Sequence, residues 1–323
     1  MKFVELKKTL KTKIANAYII FGSDRFLQSK SMDLINANCI ENFKEMNETV
    51  YNDENINVQQ MLEIAQTLPF MSKYRVIFVK ECFSKMNDGD KNRIIEYLKK
   101  PVSTTVLVFV AEEKNDFLKK CGAHATDIDC NFLDNATLSK IVAAMCAENG
   151  KQITANALNN LIEYCGFDLS KIANEVIKLA SYCTDPVIKP EDVEVNVAKT
   201  MDYEMYRIAN AIIAKDTSAA IKLYEYMLRV KGYTQYILGA LANFMRRYFY
   251  LQATKNNVDL CVSAFKIGPY PISMMVKETN KLKKVELMNS ISAVLETDYQ
   301  IKSGHAPDIN AIYSLIMNII YKL

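Results

Sequence analysis

The stretch AYIIFGSDRFLQSK, residues 17–30, decides how the chain is read. Ala17–Gly22 is a short apolar run, as in a strand covered on both faces. Asp24 follows as an N-cap, and the next residues put Leu27, Ser31, Leu34, Ile35 and Asn38 on one helical face. A glycine after the first strand of an α/β unit is where phosphate-binding loops begin. A nucleotide-hydrolysing loop reads GxxxxGK[ST], with glycines freeing amides and a lysine reaching the phosphates. Here Gly22 is followed by Ser23, Asp24, Arg25 and Phe26, with no second glycine and no Gly-Lys-Ser/Thr triplet. Asp24 would also set a carboxylate against a phosphate. The reading is an α/β fold whose nucleotide loop, Gly22, Ser23 and Asp24, is degenerate and holds no ligand. A divergent phosphate loop is the rival.

Working outward, NETVYND (47–53), VIFV (76–79), TTVLVFVA (104–111) and HATDIDC (124–130) are further strand candidates. Helical patterns separate them. One carries Val58, Met61, Leu62 and Ala65 on a stripe, and another, 91–100, stops at Pro101. Strands and helices in this alternation predict a parallel sheet over residues 1–137. From about Asn135 the β signal disappears. Residues 138–200 read as a small helical unit, with Gly150 ending one helix, Thr154 and Asp168 opening two more, and a linker near TDP (184–186) and Pro190. Residues 201–323 read as long amphipathic helices near 203–214, 217–230, 233–254, 284–301 and 308–322. The breaks fall at Lys231-Gly232, IGPYP (267–271) and SGHAP (303–307). The last helix is so apolar that neighbouring helices or other subunits must cover most of it.

The totals bound the class. The chain has 323 residues, half of them hydrophobic and 24% charged, with 9 Gly and 7 Pro. Eight cysteines share no CxxC spacing and only His124 and His305 accompany them, so no metal site is expected. Scattered reduced thiols, an N-terminus interrupted by lysines and the lack of any run of ~18 apolar residues predict a soluble, cytoplasmic protein with no membrane contact. The net charge is +3, and residues 201–323 carry 15 basic and 10 acidic side chains. That bias permits a weak phosphate contact without demanding one. Arg246-Arg247, beside Tyr248 and Tyr250, is the candidate nucleic-acid contact, and a solvated helix face is its plain alternative.

No residue set argues for catalysis. The acidic pairs Glu112-Glu113 and Glu191-Asp192 are adjacent in sequence and diverge on regular structure. No Ser-His or Cys-His dyad suggests itself, and no cofactor is expected. The remaining oddity is AQTLPFMSKYRVIFVKE, residues 65–81. Its turn carries Leu68, Pro69, Phe70 and Met71, apolar groups surplus to both the preceding stripe and the following strand. Either Phe70 tucks back under the sheet, or the turn displays an apolar wedge stiffened by Pro69. The residues alone leave both open.

The order of these pieces resembles the delta subunit of the bacterial DNA polymerase III clamp loader. The likeness runs over nearly the whole chain. It is carried by AYIIFGSDRFLQSK, TLPFMSKYRVIFVKE, ITANALNNLIEYCGFDLSKIANEVIKLASY and LETDYQIKSG. The resemblance implies an AAA+ (RecA-like) domain at 1–137 with a degenerate nucleotide site, a helical lid at 138–200 and a helical collar at 201–323. It implies a subunit that binds and opens the beta sliding clamp through Leu68, Pro69, Phe70 and Met71. The collar would meet the delta-prime and gamma/tau subunits, and primed DNA would be met only within that complex. No catalysis of its own is implied, although the polymerase III holoenzyme is a nucleotidyltransferase. A four-cysteine zinc site and a phosphate loop, typical of the companion subunits, are missing from the sequence. The alternatives are a divergent AAA+ ATPase and a nucleic-acid-binding protein acting alone.

Overall fold

Five short segments become the strands of one parallel sheet, apolar in the three inner strands and mixed at the two edges. The computed structural model describes residues 1–231 and 234–322, and the chain divides into two compact units, Met1–Phe132 and Leu133–Leu323.

The first unit runs α1 (Phe3–Thr12), β1 (Ala17–Phe21), α2 (Arg25–Cys39), α3 (Lys44–Asn47), β2 (Glu48–Tyr51), α4 (Val58–Ala65), β3 (Arg75–Lys80), α5 (Asp88–Lys99), β4 (Thr105–Ala111), α6 (Asp116–Cys121) and β5 (Thr126–Asp129). The sheet order is β2-β3-β4-β1-β5, with every pairing parallel. β4 lies at the centre and all seven of its residues are buried, as its unbroken apolar run requires. In register, Ile77 pairs with Leu107 and Leu107 with Ala17. Ile19, Ile77, Leu107 and Phe109 pack in one cluster with Met61, Ile94 and Leu118 from α4, α5 and α6. On the other face Ile20, Val76 and Phe78 are buried, as are Leu10 of α1 and Leu27 and Ile35 of α2. Helix starts follow the side chains. Asp24 caps α2, accepting from the Phe26 and Leu27 amides, while Asn57, Asn87 and Asn115 cap α4, α5 and α6.

The second unit contains α7 (Asn135–Glu148), β6 (Gln152–Ile153), α8 (Ala155–Tyr164), α9 (Leu169–Tyr182), β7 (Val187–Ile188), α10 (Pro190–Asn196), α11 (Met201–Ile213), α12 (Thr217–Lys231), α13 (Thr234–Ala253), α14 (Val258–Phe265), α15 (Pro269–Thr279), α16 (Lys284–Lys302) and α17 (Asp308–Lys322). β6 and β7 form a two-residue parallel pair, Gln152 with Val187 and Ile153 with Ile188. The expected loss of the β signal from about Asn135 misses this pair, because a two-residue pairing is too short to carry a period. Of the helix break read at Lys231-Gly232, Lys231 is the last residue of α12 and Gly232 lies outside the described residues. IGPYP is a helix start: Pro269 opens α15, where its missing N–H costs nothing. Tyr270 therefore lies in the first turn of a helix, its ring 4.7 Å from that of Phe167.

The apolar last helix is covered on one side. Ile312, Leu315, Ile316 and Ile319 are buried in a cluster with Met205, Ile237 and Leu241, and Tyr224 Oη donates to the carbonyl of Ile309 at 2.9 Å. Its Ile309, Tyr313 and Tyr321 are exposed, as are Val285, Met288, Leu295 and Tyr299 on α16.

Candidate partner-binding site

α4 ends at Ala65, and Thr67 closes the turn by donating its hydroxyl to the carbonyl of Ile64 at 2.7 Å. The chain then runs through Leu68, Pro69, Phe70 and Met71 before entering β3 at Arg75. Leu68 is 75% exposed, Met71 68% and Phe70 45%. The turn's apolar groups thus lie outside the core of their unit, which is already filled by α4 and β3. Removing these side chains fully from water against a partner would be favourable by at most about 1.5–3 kcal/mol each, scaled down by the area already covered, most of all for Phe70.

Two side chains fix the turn. Asn47, fully buried at the end of α3, uses its amide in both directions. Its Oδ1 accepts from the Phe70 amide at 2.7 Å, and its Nδ2 donates to the Phe70 carbonyl at 2.8 Å. Nδ2 also lies 3.1 Å from the carbonyls of Asn42 and Phe43. Arg75 bridges the same two segments, donating to the carbonyl of Met46 and to that of Leu68, each at 3.1 Å. Phe43 meets Phe70 edge-to-face with ring centroids 5.2 Å apart. Phe43 and Met46 are themselves exposed. Phe43, Met46, Asn47 and Arg75 did not emerge from sequence reasoning. The isolated apolar residues in the polar stretch ENFKEMNE were the one available signal.

Backbone conformation adds a second mark. Phe43 and Met71 both hold left-handed backbone, φ 51° and 46°. For a bulky side chain this costs roughly 1–3 kcal/mol, and such residues cluster at binding sites.

The loop after β1 is tied internally. The Gly22 amide donates to the Glu112 carbonyl at 3.1 Å, and the Asp24 amide to the Cys130 carbonyl at 3.0 Å. The Asp24 carboxylate accepts from the Phe26 and Leu27 amides at 3.0 and 3.1 Å, so amides that would face a phosphate are engaged by the chain's own carboxylate. Ser23 sits between these two anchored residues. Gln28 donates its amide to the Gly22 carbonyl at 2.6 Å.

Arg246 and Arg247 diverge. Arg246 is exposed, whereas Arg247 lies over the rings of Phe244 and Phe265, 5.6 and 5.9 Å from their centroids, and burial lowers its pKa. Tyr248 is fully buried and Tyr250 packs edge-on against Phe265. The pair does not form one basic surface.

Among the described residues no group of three or more His, Cys, Asp or Glu could hold a metal ion, and no helix is long and apolar enough to cross a membrane. All eight thiols are free and buried. Burial pushes Cys39, Cys121 and Cys165 up to about 12 and Cys82, Cys130 and Cys146 up to about 11.

Fold and site define a two-unit protein: a parallel α/β unit displaying an apolar turn, followed by an all but wholly helical one. Family models place it further. "DNA polymerase III, delta subunit" matches residues 18–131, and "DNA polymerase III delta subunit, C-terminal domain" matches residues 202–319. The chain belongs to the DNA polymerase III delta subunit family. It is 21% identical to DNA polymerase III subunit delta of Bacillus subtilis over 94% of this chain and 92% of that one. It is 21% identical to a probable DNA polymerase III subunit delta of Aquifex aeolicus over 65% of this chain and 63% of that one. Its fold matches the solved Bacillus subtilis DNA clamp loader delta protein with a TM-score of 0.78, at 19% identity and over 99% of each chain.

Proposed function

We propose that this delta subunit binds the sliding clamp through Leu68, Pro69, Phe70 and Met71 and helps to open it during DNA replication. The observation that carries the reading is the turn itself: Leu68 and Met71 are largely exposed, while Asn47 and Arg75 hold the backbone beneath them. A preformed apolar wedge loses little entropy on entering a pocket. Its contribution to opening is the difference between its affinities for the open and the closed clamp, because a binder shifts an equilibrium only by that difference.

In this reading residues 1–137 are an AAA+-type domain without a working nucleotide site, 138–200 a lid and 201–323 a collar. ATP is used by neighbouring subunits. The engaged amides at Gly22, Phe26 and Leu27 support that division of labour. The exposed face of α16, with Val285, Met288, Leu295 and Tyr299, supports a collar that meets delta-prime and gamma/tau subunits. Primed DNA is met only inside the complex, with Arg246 as the candidate contact.

The test is a pull-down of the purified bacterial sliding clamp by this chain and by Phe70→Ala. The parent retains the clamp and the variant loses it. Equal retention would remove Phe70 from the site.

A further inference from the structure

We propose that the clamp-facing surface is built from two chain segments, with the turn 42–47 as its second half. In it Phe43 is a contact residue and Asn47 the positioning residue for Phe70. The inference rests on the reading of Leu68–Met71 as the clamp-binding turn, and it goes beyond the four residues assigned there.

Three observations carry it. Asn47 is a fully buried polar side chain whose amide is satisfied by the backbone of Phe70 in both directions, at 2.7 and 2.8 Å. A buried amide left without these partners would be costly, so Asn47 and the Phe70 backbone hold each other in one arrangement. Second, the Phe43 ring lies edge-on to Phe70 at 5.2 Å and is itself 51% exposed. The two rings form one continuous apolar surface, and a pocket that receives Phe70 must also meet Phe43. Third, the strain is shared: Phe43 and Met71, one on each segment, are both held at positive φ. Further ties join the segments, since Arg75 donates to Met46 and Leu68 carbonyls, and the Glu41 amide donates to Ser72 Oγ at 3.1 Å. The occupant is therefore the same sliding clamp, through an apolar cleft wide enough for two rings side by side.

The experiment is a titration of the full chain against purified sliding clamp, followed by fluorescence anisotropy. The variants are Phe43→Ala, Asn47→Ala, Phe70→Ala and the double variant Asn47→Ala with Phe70→Ala, with affinities expressed per folded molecule. Phe43→Ala weakens binding by about tenfold, as expected for loss of a central aromatic contact. Asn47→Ala weakens it by a similar factor in the parent and by clearly less once Phe70 is Ala, because the largest group that it positions is then gone and only Leu68 and Met71 remain on the turn. A structural role for Asn47 would instead lower the melting temperature equally in both backgrounds and leave the affinity of folded molecules unchanged. Should Asn47→Ala fail to fold, Phe43→Ala, at an exposed ring, decides alone. If Phe70→Ala loses the clamp while Phe43→Ala and folded Asn47→Ala bind like the parent, the two-segment surface is wrong and the turn assignment stands. If Phe70→Ala binds like the parent, the turn assignment itself fails.

Discussion

Gly22 and the carbonyl of Cys130 lie so close that a Cβ on Gly22 would fall 2.2 Å from the Cys130 carbonyl carbon. Gly22 also has φ +139°, a backbone that other residues rarely adopt. The glycine serves the approach of the β1 turn to the end of β5. Gly22→Ala should cost about 3 kcal/mol or more of stability, since it combines a backbone clash with strain. Chemical denaturation of the two proteins would measure this, and a variant as stable as the parent would contradict the packing described.

The same turn predicts the outcome of a nucleotide titration. Asp24 occupies the amides of Phe26 and Leu27, so calorimetry of the chain with ATP and magnesium should give no binding heat. Asp24→Ala should not restore binding, because no Gly-Lys-Ser/Thr triplet is present. It should destabilise α2 by about 1 kcal/mol through loss of its cap. Tight ATP binding by the parent would favour a divergent ATPase.

Met71 at φ 46° sets stability against function. Met71→Gly should relieve about 1 kcal/mol of backbone strain, partly offset by a more flexible unfolded chain. It should also weaken clamp binding by removing a side chain that is largely exposed in the free protein. Thermal denaturation and a clamp titration of one variant would read both effects. Unchanged affinity would exclude Met71 from the contact.

The eight buried thiols should be silent. With six of them pushed up to about 11 or 12 by burial, almost no thiolate is present at pH 8, and thiolate is the reactive form. A chromogenic disulfide reagent should label none in the folded protein and all eight in denaturant. Rapid labelling of the native chain would show that one of them is accessible.

Glu163 supplies a pH dependence. Burial raises its carboxyl above the ordinary value. The folded state therefore holds this proton more firmly than the unfolded chain. Its stabilising contribution is fully present below the unfolded pKa and is lost as pH rises through the folded one. Glu163→Gln should be more stable than the parent at pH 7, with the advantage shrinking as pH falls towards 4. An advantage independent of pH would point to a different cause.

How much was legible depended on how much of each element is buried. β1, β3 and β4 announced themselves because a central parallel strand needs apolar residues on both faces, as in Ile19, Phe78 and Phe109. The caps at Asp24 and Asp168 were legible because a carboxylate before an apolar stripe has one structural use there. The pair Gln152–Val187 was not, since two residues define no period. The turn at Leu68–Met71 was visible as an excess of apolar groups, yet periodicity cannot say which way four loop residues face. Asn47 was invisible: an asparagine near a strand start is unremarkable until its amide is seen on Phe70, 23 residues on.

The proposed function stands on an exposed apolar turn that grips the sliding clamp. Its most direct test is the dissociation constant of the double variant Leu68→Ala, Phe70→Ala for purified clamp, measured with a far-ultraviolet melt of the same sample. Two lost anchors at about 2 kcal/mol each predict a loss of several hundredfold or more, with the melt unchanged because both side chains lie largely outside the core. Parent-like affinity from a normally folded double variant would contradict the account.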